Sequence, residues 1–524
     1  MGRQGSRGEG EGARTTARIT TEESPRLPEI REDEGVKPAS PAQRRVARQA
    51  THALCALLLC AAPALTAPPA PAHAVEPTAS SSPSPSPSFT PPPYGGEQDL
   101  SMIPDVVDVW TQPSITPGQL LHLHISSPTP NYSVTIRRET FAGSIAPANV
   151  YQEDHADGAD HRSLTTWDAT TATARAAWPV AHSLDSTGWL PGVYTIQTEN
   201  GTTSQVGRGI FVVRSPSIVA NRPLYALSIL TFQAYNTWGG ASAYSEPRSV
   251  RLSLERPYLD LNNSGHGWQA EAPWALWMSA HITGLQYTTD YDLSLAAPAV
   301  NPSALILGQH TEYISKVFRD WLDRASGDRG GMEIANFGVN SLYWQIRLEG
   351  GIESGSPKEI VTYKYRGQDP FEAISPKEVS FVFRSKEIGR PEGALLGVQY
   401  AGASGLRLPP TSLIIHRTIP RRFLAGTPLR PGSTLLNLYD NEADSIYPAA
   451  RPTILGSAMI TLSPKKTTTL ATVIRTGKRG ARIFSAGSIM WVTGFTGAAP
   501  FGISRASFIR FNANILDWLG IKRH

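Results

Sequence analysis

The chain has 524 residues, of which 40% are hydrophobic and 18% charged, and a formal net charge of +4. That length exceeds one ordinary core and predicts two or more domains once tails are set aside. The small charge, with no stripe of lysine or arginine, excludes a nucleic-acid footprint.

Arg44, Arg45 and Arg48 precede the apolar run ALCALLLCAAPALTA, and PAHA closes at Ala74. A basic segment, a short apolar run and an A-x-A-like site follow the order of a secretory signal. The run is too short for a comfortable membrane span. Residues 1–74 are therefore expected to be a leader, giving a secreted or envelope-associated protein with no membrane span in the mature chain. An N-terminal membrane anchor is the alternative. The 43 residues ahead of Arg44 make this leader extended, or else the true start lies downstream. The Arg44-Arg45 pair is followed by VARQ, a poor fit to twin-arginine export. Both cysteines, Cys55 and Cys60, fall inside the leader. The mature chain is then expected to hold no disulfide, thiolate metal site or cysteine nucleophile.

Residues 75–98 contain PTASSSPSPSPSFTPPP, a Ser/Pro tract that reads as an extended linker. Between 99 and 215, GQLLHLHIS, YSVTIRRET, GVYTIQTEN and GRGIFVVR are short strand-like runs separated by Pro, Gly and Asn turns. Their spacing predicts an antiparallel, Ig-like β-sandwich. From 216 to 524 the pattern becomes α/β. PLYALSIL, GLQYTTDYDL, SALILGQ, GMEIANFG and ARIFSAGSIMW read as strands, and EAPWALWMSAHI and TEYISKVFRDWLDRAS as helices. In the latter, Tyr313, Val317, Phe318 and Leu322 fall near helical spacing. SRASFIRFNANILDWLGI reads as a C-terminal amphipathic helix. Alternation of this kind predicts a mostly parallel sheet covered on both faces, with ligands beyond the carboxyl ends of its strands.

Three loops sit at that address. TFQAYNTWGGASAYSEP reads as the end of an apolar strand that breaks into a loop, with Tyr235, Trp238 and Tyr244 in it. A phenol beside a Lewis-acidic ion can bind as phenolate, while half-buried tyrosines bridging core and solvent are the plain structural reading. Gly239 and Gly240 would let the backbone pass close to a pocket mouth. In GQHTEY, His310 and Glu312 are placed at a strand-to-helix junction. Glu312 there could ligate a metal or act as a base, or merely complement the helix dipole. FGVNSLYW has the form of a strand-to-helix elbow with Asn340 where a nucleophile would sit. An amide is a poor nucleophile but can hold a carbonyl oxygen or a water. Ser341 beside it has no supporting Ser-His-Asp signature.

Together AYNTWGGASAYS, LILGQHTEYIS, IANFGVNSLYWQIRLE, VTYKY, LLGVQY, YDNEAD and IFSAGSIMW resemble, in order and spacing, the N,N-dimethylformamidase large (beta) subunit-like family. The resemblance covers about 220–524 and, more faintly, the sandwich. It implies a class I glutamine amidotransferase-like α/β domain without the cysteine nucleophile, and a mononuclear iron held by two tyrosines and one glutamate, an all-oxygen and triply negative set that suits ferric iron better than zinc. Carried over, the metal ligands are Tyr235, Tyr244 and Glu312, with His310, Asn340 and Glu442 as catalytic residues and Phe484 in the substrate pocket. Trp238 is a further candidate for substrate contact. Two positions depart from the family: Gln309 stands between Gly308 and His310, and Ile314 replaces the usual tryptophan.

The expected function is an exported, iron-dependent hydrolase of a C–N amide bond acting on a small amide, with a homo-oligomer possible. The alternative is a non-catalytic envelope protein that binds a glycan or other cell-surface ligand, to which the Ser/Pro tether and Trp238, Trp268, Trp274 and Trp277 lend themselves. A glycosidase using Glu312 and Glu442 as paired carboxylates has no motif of its own.

Overall fold

The computed structural model describes residues 106–139, 147–203, 205–261, 267–327, 331–350, 358–402, 408–463, 466–477, 480–497 and 499–524. The expected leader and Ser/Pro linker over 1–98 lie outside them. Among the described residues no helix is long and apolar enough to cross a membrane.

The first part is built of strands, with one 3-10 turn at Arg162–Leu164: β1 (Asp108–Trp110), β2 (Ser114–Ile115), β3 (Leu120–Ser126), β4 (Asn131–Arg138), β5 (Ala148–Asp157), β6 (Thr165–Asp168), β7 (Thr173–Ala176), β8 (Val180–Asp185), β9 (Gly192–Asn200) and β10 (Val206–Val213). One sheet has the order β1-β3-β8 and a second the order β2-β10-β9-β4-β5, while β6 and β7 pair as a separate ribbon. Alternation places Tyr132, Val134 and Ile136 of β4 and Tyr194 and Ile196 of β9 in one core with Leu121, Leu123 and Ile125 of β3. The opposite face of the second sheet is polar along most of its length. At one end Val193, Ile210 and Val212 join the largest hydrophobic cluster of the protein.

The second part begins with β11 (Leu224–Leu227), α1 (Ile229–Tyr235), β12 (Arg251–Ser253), α2 (Trp268–His281), β13 (Gln286–Thr289), α3 (Asp290–Leu295), β14 (Ala304–Leu307), β15 (Tyr313–Ser315), α4 (Lys316–Gly327), β16 (Glu333–Asn336), β17 (Trp344–Glu349) and β18 (Glu359–Val361). It continues with β19 (Val398–Tyr400), β20 (Leu408–Ile415), β21 (Thr434–Asn441), β22 (Asp444–Ile446), β23 (Thr453–Ser463), β24 (Lys466–Thr476) and β25 (Arg482–Ser485), and a C-terminal helix spans Arg505–Trp518. The main sheet has the order β13-β11-β14-β16-β25-β24-β23-β20-β21. Its first five strands are parallel, and the rest pair antiparallel. Both faces of the parallel part are buried, with Leu224, Leu305 and Ile334 on one side and Tyr225, Ile306 and Ala335 on the other. A smaller sheet, β12-β18-β17-β15, lies beside it.

The protein is therefore β-rich with mixed sheets, and the mostly parallel sheet is corrected to one that is parallel over half its length. The reason is connection length: only two residues separate β23 from β24, and a parallel pair needs a crossover of a dozen or more. Local expectations change as well. The apolar run after β11 is helix α1 rather than strand, because both forms bury such a run and its periodicity does not separate them. GLQYTTDYDL is strand only to Thr289, where a capping box with Asp292 starts α3. In TEYISKVFRDWLDRAS the residues Tyr313–Ser315 form β15, and the helix begins at Lys316. FGVNSLYW leads through a turn into β17, not into a helix.

The two parts meet at a buried charge. Trp238 donates from Nε1 to Asp108 Oδ2 at 3.3 Å, and burial raises the Asp108 carboxyl from 3.8 to about 7. The folded state then holds this proton more tightly than the unfolded chain does, so the carboxyl costs stability progressively as pH rises from about 4 to about 7. Asp108→Asn should raise the thermal midpoint by several degrees at pH 8 and leave it nearly unchanged at pH 4. Thermal melts of both proteins at the two pH values check this.

Candidate functional site

Three adjacent parallel strands end on one side of the main sheet, and their loops build the site. After β11, Ser228 opens α1, and its hydroxyl pairs with Thr311 at 2.8 Å. Buried Asp290 accepts from Leu230 N at 3.1 Å, which answers one of the orphan amides of that helix. After β14 the chain runs Gly308 to Glu312, and Glu312 N donates to Thr231 Oγ1 of α1 at 3.1 Å. After β16 the chain folds back along that loop, with Val339 N on Gln309 O at 3.1 Å and Leu342 N on Thr311 O at 2.8 Å. Gly338 permits this approach, since a Cβ there would lie 2.2 Å from Gln309 O. Asn340 follows with φ 51, a left-handed conformation that asparagine tolerates. A fourth segment supplies Glu442, between β21 and β22, and Asp444, which opens β22.

Glu312 lies at the centre, 2% exposed. Its Oε1 accepts from the Tyr244 hydroxyl at 2.9 Å and from Asn340 Nδ2 at 3.1 Å. Tyr244 is itself hydrogen-bonded to Tyr235 and accepts from the Tyr313 hydroxyl at 2.5 Å. Lys364 Nζ donates to Tyr313 and lies 3.7 Å from the centre of the Trp344 ring. The hydrogen bonds thus run one way, from Lys364 through Tyr313 and Tyr244 to Glu312. On the other side, His310 Nε2 is 3.6 Å from Glu312 Oε2 and 3.2 Å from Glu442 Oε2. Asn340 Nδ2 also reaches Glu442 Oε2 at 3.3 Å, and Asn340 N donates to Asp444 Oδ1 at 2.9 Å. The Tyr235 ring packs on Tyr244, with centroids 4.5 Å apart, and on His310 at 5.6 Å.

Burial governs the electrostatics. It pushes the phenols of Tyr235, Tyr244 and Tyr313 well above their ordinary range, and the Glu312 charge adds to the shift. Glu312 is raised by burial, against the pull of His310 and Lys364. Burial drives Lys364 well below the usual lysine range, with Glu312 opposing. Burial also disfavours the His310 imidazolium, but the carboxylates of Glu442, Glu312 and Asp444 together outweigh it and the net shift is upward. Asp444 is raised by burial to about 7. Although the Tyr244 hydroxyl is enclosed, the residue keeps 39% of its surface exposed. It lines an open cleft of about 390 Å³ with Tyr235, Thr237, Ser242 and Asp260. Among the described residues, no group of three His, Cys, Asp or Glu side chains is arranged to hold a metal ion.

The sequence profile described as N,N-dimethylformamidase beta subunit-like, C-terminal, matches residues 133–501, from β4 nearly to the C-terminal helix. The chain belongs to this family. No curated protein matches it. The dimethylformamidase-like match takes in every residue of the cluster.

Of the residues singled out in the sequence, the structure brings together Tyr235, Tyr244, His310, Glu312, Asn340 and Glu442. It does not bring Phe484 or Trp238 among them. Phe484 is buried in the core of the main sheet, with its ring against Phe337 and Trp491. Trp238 is buried edge-on to Trp178 beside Asp108. The dipole role for Glu312 is also set aside, because β15 separates it from the next helix. Gly239 does allow a close approach, but to the β7 ribbon: a Cβ there would lie 2.3 Å from that of Ala174. Two members of the cluster, Tyr313 and Lys364, are not among the candidates read from the sequence. Tyr313 passed as a helical core residue, although it stands next to Glu312 in HTEY. Lys364 lies in VTYKY, where a lysine ordinarily signals a solvated surface.

The loop that carries Tyr235 and Tyr244 is held by Arg256, which is buried and lowered by burial to about 10. Its guanidinium donates to Gln233 O at the end of α1 and to Ala241 O at 3.0 Å. Replacing it with an apolar side chain takes the side-chain donor from Ala241 O and leaves Gln233 O with Asn236 N alone, at 3.3 Å. Arg256→Met should cost at least about 3 kcal/mol. It should lower the thermal midpoint and speed amide exchange across 238–245 while sparing β14, as hydrogen-exchange mass spectrometry would read.

Proposed function

We propose that the chain is an exported hydrolase of a C–N amide bond, acting on a small amide at the Glu312 cluster with a mononuclear, ferric iron held by Tyr235, Tyr244 and Glu312. Family membership supports the amide reaction. The observation that carries the reading is the gathering of a buried carboxylate, three phenols, a histidine, an asparagine and a second carboxylate beside one open cleft. The five parallel strands, with the site beyond their carboxyl ends, support a class I glutamine amidotransferase-like arrangement for 216–524. An Ig-like sandwich over 99–215, a leader over 1–74 and a linker over 75–98 complete the proposed organisation.

The donors fit a hard cation. Glu312 Oε2 is buried and accepts no hydrogen bond among the described residues. Phenols enclosed this way ionise only if a strong positive charge offsets their burial. Two phenolates and a carboxylate are all oxygen and triply negative, which suits ferric iron better than zinc. When bound, such an ion would polarise the substrate carbonyl and lower the pKa of a water.

The rest is done by this chain's own side chains. Hydrolysis puts the water oxygen on the carbonyl carbon and breaks the C–N bond, and the leaving nitrogen takes a proton. His310 and Glu442, 3.2 Å apart, take the proton from water and return it to that nitrogen. Asn340 Nδ2 holds the carboxylates of Glu312 and Glu442 at a fixed spacing, and its buried Oδ1 accepts no hydrogen bond among the described residues. That oxygen can receive a substrate N–H or a water. Lys364 and Tyr313 orient the Tyr244 oxygen.

The test is release of amine from small amides such as N,N-dimethylformamide by the purified protein. Glu442→Gln should lower kcat by about 10²–10⁴ with KM changed only slightly, and Glu312→Ala should abolish turnover. An inactive wild-type protein whose Glu312→Ala variant melts at the same temperature would contradict the reading.

A further inference from the structure

A cavity larger than the cleft at the Glu312 cluster lies elsewhere in the described residues. A trench of about 670 Å³ runs between the outward face of the second sandwich sheet and the start of α2. That volume is on the scale of a ligand site. Its floor is set by register. Gln152, Thr135, Gln197 and Arg208 stand side by side across β5, β4, β9 and β10, and the next row carries Arg137 opposite Thr195. All six line the trench. Their amides and hydroxyls carry both donors and acceptors; Thr195 Oγ1 donates to Glu139 Oε1 at 2.8 Å and Gln152 Nε2 to Asp154 Oδ1 at 2.8 Å. The facing wall is mostly apolar, made by Leu261, Trp268, Ala272, Pro273 and Leu276, with Gln269 among them.

We propose that this trench binds an acidic oligosaccharide, one whose sugar rings bear carboxylates. A sugar ring has an edge of hydroxyls and a face of C–H groups, matching a floor of amides and hydroxyls under an apolar wall. Carboxylates on the rings meet the arginines. Arg208 is exposed and has no carboxylate partner among the described residues, and Arg137 is only 3.6 Å from one carboxylate oxygen of Glu139. Two guanidiniums and one carboxylate leave a single net positive charge, which suits scattered carboxylates and is too little for a polyphosphate backbone. The floor is the face of a sheet rather than its edge, so an extended peptide cannot add to it as a strand. The site is separate from the Glu312 cluster and stands whether or not that cluster hydrolyses amides.

Isothermal titration of the full chain with tetragalacturonate tests the assignment. Saturable one-to-one binding is expected, weakened at least tenfold in Arg208→Ala/Gln197→Ala and in Arg137→Ala, and weakened by added salt. These floor residues are partly or fully exposed, so the variants should melt like the wild type. Glu312→Ala should bind tetragalacturonate as the wild type does. Absence of saturation, equal affinity for neutral maltotetraose or for tetraglutamate, or binding unchanged in both floor variants would overturn the proposal.

Discussion

The close approach of the Tyr244 oxygen to the buried Glu312 carboxylate, a hydrogen bond while the phenol keeps its proton, is the contact on which the site depends. A carboxylate at 2% exposure has lost its hydration and must be answered by donors or by a cation. The chain answers one oxygen with a phenol and an amide, and aims a lysine at it through two tyrosines. The second oxygen faces His310 at 3.6 Å, a distance beyond a hydrogen bond. An arrangement that supports one oxygen fully and leaves the other open is what a ligand-binding carboxylate requires, and a purely structural one does not.

Holding that contact requires elements far apart in sequence. Glu312 is fixed by the end of β14 and by Thr231, whereas Tyr244 hangs from a loop with little regular structure. Arg256 ties this loop to α1, and Trp238 anchors it to Asp108 and Trp178 in the sandwich. The sandwich thus has a mechanical part in the site even though none of the cluster residues comes from it. The same packing leaves most of the outward sheet face uncovered, which is where the trench opens.

The chemistry of the site was more legible in the sequence than its geometry. Six of the eight residues chosen as candidates converge, because residues that line one pocket keep their order along the chain and the motifs carry them. Phe484 and Trp238 do not, since a buried aromatic in the core and one in a pocket are written alike. Tyr313 was hidden by a helical spacing that the fold does not use at that point, for β15 intervenes. Lys364 was hidden because a buried lysine has no local signature; its partners come from other loops. In the fold, strand runs and the C-terminal helix were readable from periodicity. The division of the apolar run at Ser228 into strand and helix was not, nor was the antiparallel half of the main sheet, which is set by turn length and long-range pairing.

Iron-edge X-ray absorption on purified, iron-loaded protein tests the central claim most directly, because it reads the donor atoms themselves. The account predicts about one iron per chain in a shell of oxygen donors with phenolate character, lost in Glu312→Ala and altered in Tyr244→Phe. A shell dominated by nitrogen or sulfur, or iron retained unchanged in Glu312→Ala, would contradict it.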